Sequence, residues 1–198
     1  MPPWGIELAE WRAGRLVAGL DEVGRGALAG PVAVAVVVLP PGDHPYRDSK
    51  TLTPKARERL AAEIRATALA YALGFANNRE VDRLGVVPAT KLAARRAIAR
   101  LPLAPDLLIT DYLPLDLPFP VRSLPKADAR SPTVAAASIL AKVARDRLMT
   151  ALDPHFPAYG FARNKGYGTA EHLEALATYG PSPLHRRRFA PVARVKLL

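Results

Sequence analysis

Apolar residues come in short runs separated by longer stretches of helical spacing. Arg15 to Asp21 (RLVAGLD) reads as a strand that runs into a glycine-rich turn, EVGRGALAG. Pro31 to Leu39 (PVAVAVVVL) is β-branched and apolar on both faces, the pattern of a strand central in its sheet. A polar loop leads to Thr53-Pro54, an N-cap and first-turn pair that predicts a helix to about Ala70. Tyr71 to Ala76 predicts a third strand, and a helical stretch follows with Pro88 near the start of its longer segment, ATKLAARRAIARL. Leu107 to Thr110 is a short apolar strand ending against Asp111, and Phe119 to Leu124 is a candidate for another. Ser131-Pro132 caps an alanine-rich helix, TVAAASILAKVARDRLM, whose small residues let a helix backbone lie close on a sheet. The order β, β, helix, β, helix, β, β, helix predicts an α/β fold, one mixed sheet flanked by helices. Residues 1–14 are expected as a loose lead-in, 15–158 as the main domain and 159–198 as a small basic helical lobe.

Composition narrows the chemistry. Lys and Arg outnumber Asp and Glu by 28 to 18, a net charge of +10 that favours polyanionic partners such as nucleic acid. Ribosomal and peripheral membrane proteins share that balance. There are no cysteines, which removes disulfides, thiolate zinc sites and cysteine nucleophiles. The four histidines form no close-spaced ligand pair, so a metal would need oxygen ligands, as Mg²⁺ and Mn²⁺ do. No signal peptide and no membrane span are evident, and the expectation is a cytoplasmic protein, monomeric by default.

Three acidic sites stand out. Asp21-Glu22 ends an apolar run, where an ionised carboxylate is costly unless paired or bound to metal. A surface turn, an ion pair with Arg25 or a helix cap would also account for the pair. Asp111 repeats the arrangement after LLIT and is preferred to Asp116, which lacks a strand-like run before it. Asp128 lies three residues before the helix cap Ser131. Acids at strand ends, with no sulfur and few histidines, make a plausible oxygen cage for two Mg²⁺ ions of the kind that cleave phosphodiesters. Arg145-Asp146, inside the alanine-rich helix, reads as a structural ion pair.

From Gly19 to Gly26 (GLDEVGRG) the sequence resembles the signature of the ribonuclease HII family. The match continues in order through LAGPVAVAVVVL, Asp48-Ser49-Lys50, Lys126-Ala127-Asp128, SPTVAAASILAKVARDRLM, YGFARNKGYGTAEHLEAL and GPSPLHRRRF. It spans roughly residues 16–192. The resemblance implies a ribonuclease-H-like mixed five-stranded sheet whose basic C-terminal lobe completes the substrate groove. It implies metal-binding and catalytic roles for Asp21, Glu22, Asp111 and Asp128 with two ions, Mg²⁺ or Mn²⁺. The implied reaction cuts the RNA strand of RNA–DNA hybrids, and cuts 5′ of ribonucleotides embedded in duplex DNA, leaving 3′-hydroxyl and 5′-phosphate ends.

Sensing of the 2′-hydroxyl falls by resemblance to the Gly24-Arg25-Gly26 turn and Tyr167, with a tight turn and a packed aromatic as the plain alternatives. Ser49, Lys50, Lys142, Lys165, Arg186 and Arg187 are candidate phosphate contacts, although solvated basic residues are the default. Tyr112 follows Asp111 where the family usually has glycine, and Ala127 stands where many bacterial members have glycine. A junction resolvase of the same fold and a non-catalytic basic nucleic-acid-binding protein are the rival readings. The first has no need of a 2′-hydroxyl sensor, and the second has no need of ionised acids.

Overall fold

The computed structural model describes residues 5–46 and 52–195. Among them, five strands form one sheet: β1 (Val17–Val23), β2 (Val32–Val38), β3 (Ala70–Ala76), β4 (Leu107–Asp111) and β5 (Val121–Leu124), in the order β3-β2-β1-β4-β5. β1 pairs antiparallel with β2 and parallel with β4, while β4 and β5 are parallel, so the sheet is mixed as expected. Every residue of β2 is buried, which is the fate of a strand apolar on both faces with neighbours on both edges.

Helices cover both faces. On one side lie α2 (Pro54–Thr67) and α5 (Pro132–Leu152), whose Leu60, Ile64, Val134, Ile139 and Leu140 join Val17, Val37 and Ile109 of the sheet. On the other side lie α3 (Asn78–Leu84) and α4 (Val86–Ile98), whose Val81, Ala89, Ala93 and Ala97 meet Leu20, Val34, Val36 and Leu108. The helical stretch after β3 is two helices rather than one. Gly85, at φ 86°, separates them in a conformation that only glycine adopts cheaply. Thr53 and Ser131 cap α2 and α5 as their sequences predict, accepting from the N–H groups of Ala56 and Val134.

The N-terminal segment is better anchored than a loose lead-in. Residues Gly5–Arg12 form a helix, α1, that buries Trp11 and two carboxylates. Glu7 accepts from the hydroxyls of Ser131 and Thr133 at the start of α5, and Glu10 pairs with Arg15 at 2.8 Å and Arg122 at 2.7 Å. No apolar periodicity announces this helix, because buried acids rather than an apolar stripe hold it.

The C-terminal residues form three short helices, α6 (Phe161–Asn164), α7 (Ala170–Tyr179) and α8 (Ala190–Ala193). Their contacts reach back to the loop after β1: Ala29 packs with Met149, Tyr159, Phe161 and Ala175, and Leu28 with Leu176 and Val192. Among the described residues no helix is long and apolar enough to cross a membrane.

β1 and α5 pack backbone to backbone at Gly19. A Cβ at Gly19 would stand 2.1 Å from the carbonyl carbon of Thr133 and 2.2 Å from the nitrogen of Val134. Both neighbours are backbone, so relief requires moving the helix that carries Ser138 and Lys142. Gly19→Ala is therefore expected to lose about 3 kcal/mol or more in urea unfolding. Gly26→Ala, where an added Cβ meets nothing within 4 Å, should change stability by less than about 0.5 kcal/mol. Equal midpoints for the two variants would refute this account of the packing.

Candidate active site

Parallel pairing of β1 with β4 brings the first acids together. The last paired rung is Leu20 against Thr110, and the next residue on each strand is an aspartate, Asp21 and Asp111. Carboxyl ends of adjacent parallel strands form a crevice that the sheet itself cannot fill. Asp21 is buried on the α5 side, hydrogen-bonded to the Ser138 side chain, and its Oδ1 accepts from the N–H of Glu22 at 2.8 Å. Asp21, Glu22, Asp111, Ser138, Lys142 and Tyr167 line one cavity of about 240 Å³. Acids separated by 90 residues of chain thus meet at one point.

Asp128 is not among the cavity's lining residues. It is buried in a 3₁₀ turn, Ala127–Ala129, tied to the site through its neighbour, whose N–H donates to Asp111 Oδ1 at 3.1 Å. Asp116 is exposed and does not line the cavity. Tyr112 adopts φ 49°, the left-handed region, and its ring is 75% exposed. A backbone of that shape favours glycine, and a tyrosine bears it at a cost of about 1 kcal/mol.

Burial raises the pKa of Asp21 to about 8, helped by the nearby charges of Glu22 and Asp111. Glu22 is raised as well, chiefly by burial, while Arg25 opposes the shift with an ion pair of 3.0 Å to Oε1. Its other oxygen, Oε2, is buried with no hydrogen-bond partner. Among the described residues no three acids or histidines already stand in the arrangement of a metal site. Glu22 is turned to Arg25, and Asp111 to the Ala127 N–H. The donor set nevertheless fits hard divalent ions: crowded carboxylates, one holding a proton for want of a counter-charge and another with an orphaned oxygen.

The ribonuclease HII family model matches residues 18–192. A ribonuclease HII of Thermus thermophilus is 66% identical over 192 residues, covering 97% of this chain and 95% of that protein. The chain belongs to the ribonuclease HII family. The ribonuclease H2 of Pyrococcus horikoshii superposes with a TM-score of 0.73 at 27% identity, covering 91% of this chain and 96% of that one. The ribonuclease HII of Archaeoglobus fulgidus, solved in complex with PCNA, gives 0.74 at 29% identity, covering 88% and 95%. Membership makes the protein a ribonuclease H, a nuclease acting on the RNA strand of RNA–DNA hybrids.

The residues expected to contact substrate divide sharply. Lys142 lies between this cavity and a neighbouring groove of about 640 Å³ that Arg147, Arg163 and Lys165 also line. Its ammonium pairs with Asp146 at 3.0 Å and stands 5.7 Å from the centre of the Tyr167 ring. Lys165 donates to Thr150 and to the Ala162 carbonyl. Arg187 is exposed, with its backbone N–H bound to Asp82. Ser49 and Lys50 lie outside the described residues.

Arg186 is a correction. It is fully buried, donating from Nε and Nη2 to the Gly30 carbonyl and from Nη1 to the Arg25 carbonyl, so its guanidinium points into the protein and not to a surface where a phosphate could lie. Arg145 is buried too and is not the ion-pair partner of Asp146, which takes Lys142 instead. Its guanidinium donates to the carbonyls of Pro31, Lys165 and Ala29 and lies 5.2 Å from the centre of the Tyr167 ring. A Cβ on Gly24, at φ 89°, would fall 2.2 Å from Arg145 Nε. The two arginines thus brace the Gly24-Arg25-Gly26 turn from behind. Sequence reasoning missed Ser138 and gave both buried arginines other roles; only the alanine-rich surroundings of Ser138 and Arg145 marked that helix face as an inner one.

The raised pKa of Asp21 has a signed consequence. The folded protein keeps a proton that the unfolded chain releases above about pH 4, so Asp21 costs progressively more stability as pH rises from about 4 to about 8. In metal-free buffer Asp21→Asn should be the more stable protein, by a margin that widens across that window to a few kcal/mol. Urea unfolding with chelator at pH 5, 7 and 8.5 checks it. Parallel curves for the two proteins would show that Asp21 is not strained by burial.

Proposed function

We propose that this ribonuclease H also incises duplex DNA on the 5′ side of single embedded ribonucleotides. The proposed reaction uses two divalent ions, Mg²⁺ or Mn²⁺, and leaves 3′-hydroxyl and 5′-phosphate ends. The observation that carries the reading is the shared lining of one cavity: Tyr167 faces the same space as Asp21, Glu22 and Asp111, and Arg145, which packs against its ring, also backs Gly24. A sugar-reading aromatic has reason to stand there only if the bond to be cut lies beside a 2′-hydroxyl.

In this reading Asp21, Glu22 and Asp111 hold the ions, with Asp128 reaching the site through the turn whose Ala127 N–H binds Asp111. When bound, the ions neutralise the scissile phosphate and supply a nucleophile at neutral pH. The chain's own residues do the rest. Asp21 must give up the proton that burial keeps on it, which couples ion binding to proton release. Arg25 must share Glu22 with the incoming cation, since its guanidinium occupies Oε1. The glycines of the turn let peptide groups approach a ribose edge, and the Tyr167 ring, backed by Arg145 and Lys142, offers a flat face to the sugar. Lys142, at the junction of cavity and groove, is placed to meet a substrate phosphate, and Lys165 lines the groove further out. The reading places the protein in the cytoplasm as a monomer, where the absence of cysteine suits a reducing compartment.

A duplex with one ribonucleotide tests it. In Mg²⁺ or Mn²⁺, cleavage is expected at the phosphodiester 5′ of that residue, and Asp21→Asn should abolish cutting while sparing hybrid binding. Cutting confined to long RNA stretches would remove the role given to Tyr167 and the glycine turn. Undiminished cutting by Asp21→Asn would remove the ion-holding role given to Asp21.

A further inference from the structure

Behind Tyr167 lies a buried pair of histidines that the catalytic reading does not use. His172, in the first turn of α7, and His185, in the segment before α8, are both buried, and their Nε2 atoms are 3.0 Å apart. Tyr159 and Phe161 wall them in. Their outer nitrogens fix the tautomers. His185 Nδ1 lies 3.0 Å from the backbone N–H of Ser182, a group that only donates, so Nδ1 is bare and Nε2 carries the hydrogen. His172 Nδ1 lies 2.9 Å from the carbonyl of Tyr167, a group that only accepts, so Nδ1 carries the hydrogen and Nε2 is bare. Both assignments agree at the shared contact: His185 Nε2–H donates to His172 Nε2. A proton added to either ring would set N–H against N–H. Burial lowers both pKa values, that of His185 to about 4, so the pair stays neutral under ordinary conditions.

The two ends of this chain are parts of the proposed sugar-reading apparatus. One end is the peptide carbonyl of Tyr167 itself. The other is a segment laced to the loop that follows Gly24-Arg25-Gly26: His185 forms a β-bridge with Ala29, the Gly30 N–H donates to the Leu184 carbonyl, and the Arg186 N–H donates to Leu28. We propose that the histidine pair is a positioning device: His185 holds His172 in the tautomer whose Nδ1–H ties down the Tyr167 carbonyl, and that bond keeps Tyr167 in register with the glycine turn and so sets selectivity for an isolated ribonucleotide. The proposal rests on the reading of Tyr167 given above.

Two substitutions at one position separate positioning from packing. Asn places an amide N–H near the site of His172 Nδ1 and keeps the bond to the Tyr167 carbonyl. Gln extends toward His185 and gives that bond up. The readout is the ratio of kcat/KM for a duplex with one ribonucleotide to kcat/KM for a long RNA–DNA hybrid. His172→Gln should lower the ratio tenfold or more, and His172→Asn should stay within about threefold of the parent protein. Tyr167→Ala serves as the reference. If it lowers the ratio and His172→Gln does not, or if Gln and Asn lower it equally, the positioning role is overturned alone. If Tyr167→Ala leaves the ratio unchanged, the sugar-reading role falls and this proposal with it. Should the variants fail to fold, ¹⁵N NMR of the parent decides. A hydrogen on Nδ1 of His172 and on Nε2 of His185 from pH 5.5 to 8 is expected, and the opposite tautomers or a charged pair would refute the chain.

Discussion

Carboxylates taken out of water repel one another, and much of this molecule is arranged around that cost. Asp21 and Asp111 follow the last rung between two parallel strands, and Glu22 shares their cavity. No apolar packing relieves such an arrangement, so the free protein settles it by leaving a proton on Asp21, an arginine on Glu22 and a backbone N–H on Asp111. Each is a substitute for positive charge that a divalent ion supplies better. The site is thus unstable in the sense that suits catalysis, holding groups that a ligand stabilises and the fold alone does not.

That cost is borne by the surroundings. α5 lies so close on β1 that Gly19 has no room for a methyl group, and this contact places Ser138 beside Asp21 and Lys142 at the mouth of the cavity. The same helix carries Arg145 to the back of the glycine turn, where its three carbonyl partners belong to residues 29, 31 and 165. One rigid helix therefore indexes the acids, the turn and the Tyr167 segment against each other. Arg145 and Arg186 are each held by three hydrogen bonds to backbone carbonyls in place of an acidic partner.

The basic surplus of the chain divides into two kinds. Some cations line the groove beside the cavity. Others, Arg186 above all, are consumed as internal braces. Net charge alone does not separate the two, because a guanidinium serves equally well as a surface charge and as a fork of hydrogen-bond donors.

Periodicity and turn chemistry made the sheet, its helices and the caps at Thr53 and Ser131 legible in the sequence, since these depend on residues close together in the chain. The place of Asp21, Glu22 and Asp111 after apolar runs was legible for the same reason: a strand end is a local feature. What the chain could not disclose alone was which distant groups meet. The anchoring of α1 by buried Glu7 and Glu10, the inward turn of Arg186, the place of Asp128 behind the cavity and the meeting of His172 with His185 all depend on contacts between segments far apart. Polar side chains carry no periodicity that marks them as buried; only the packed fold, by removing water from around them, decides whether a charge faces solvent or is spent on a carbonyl.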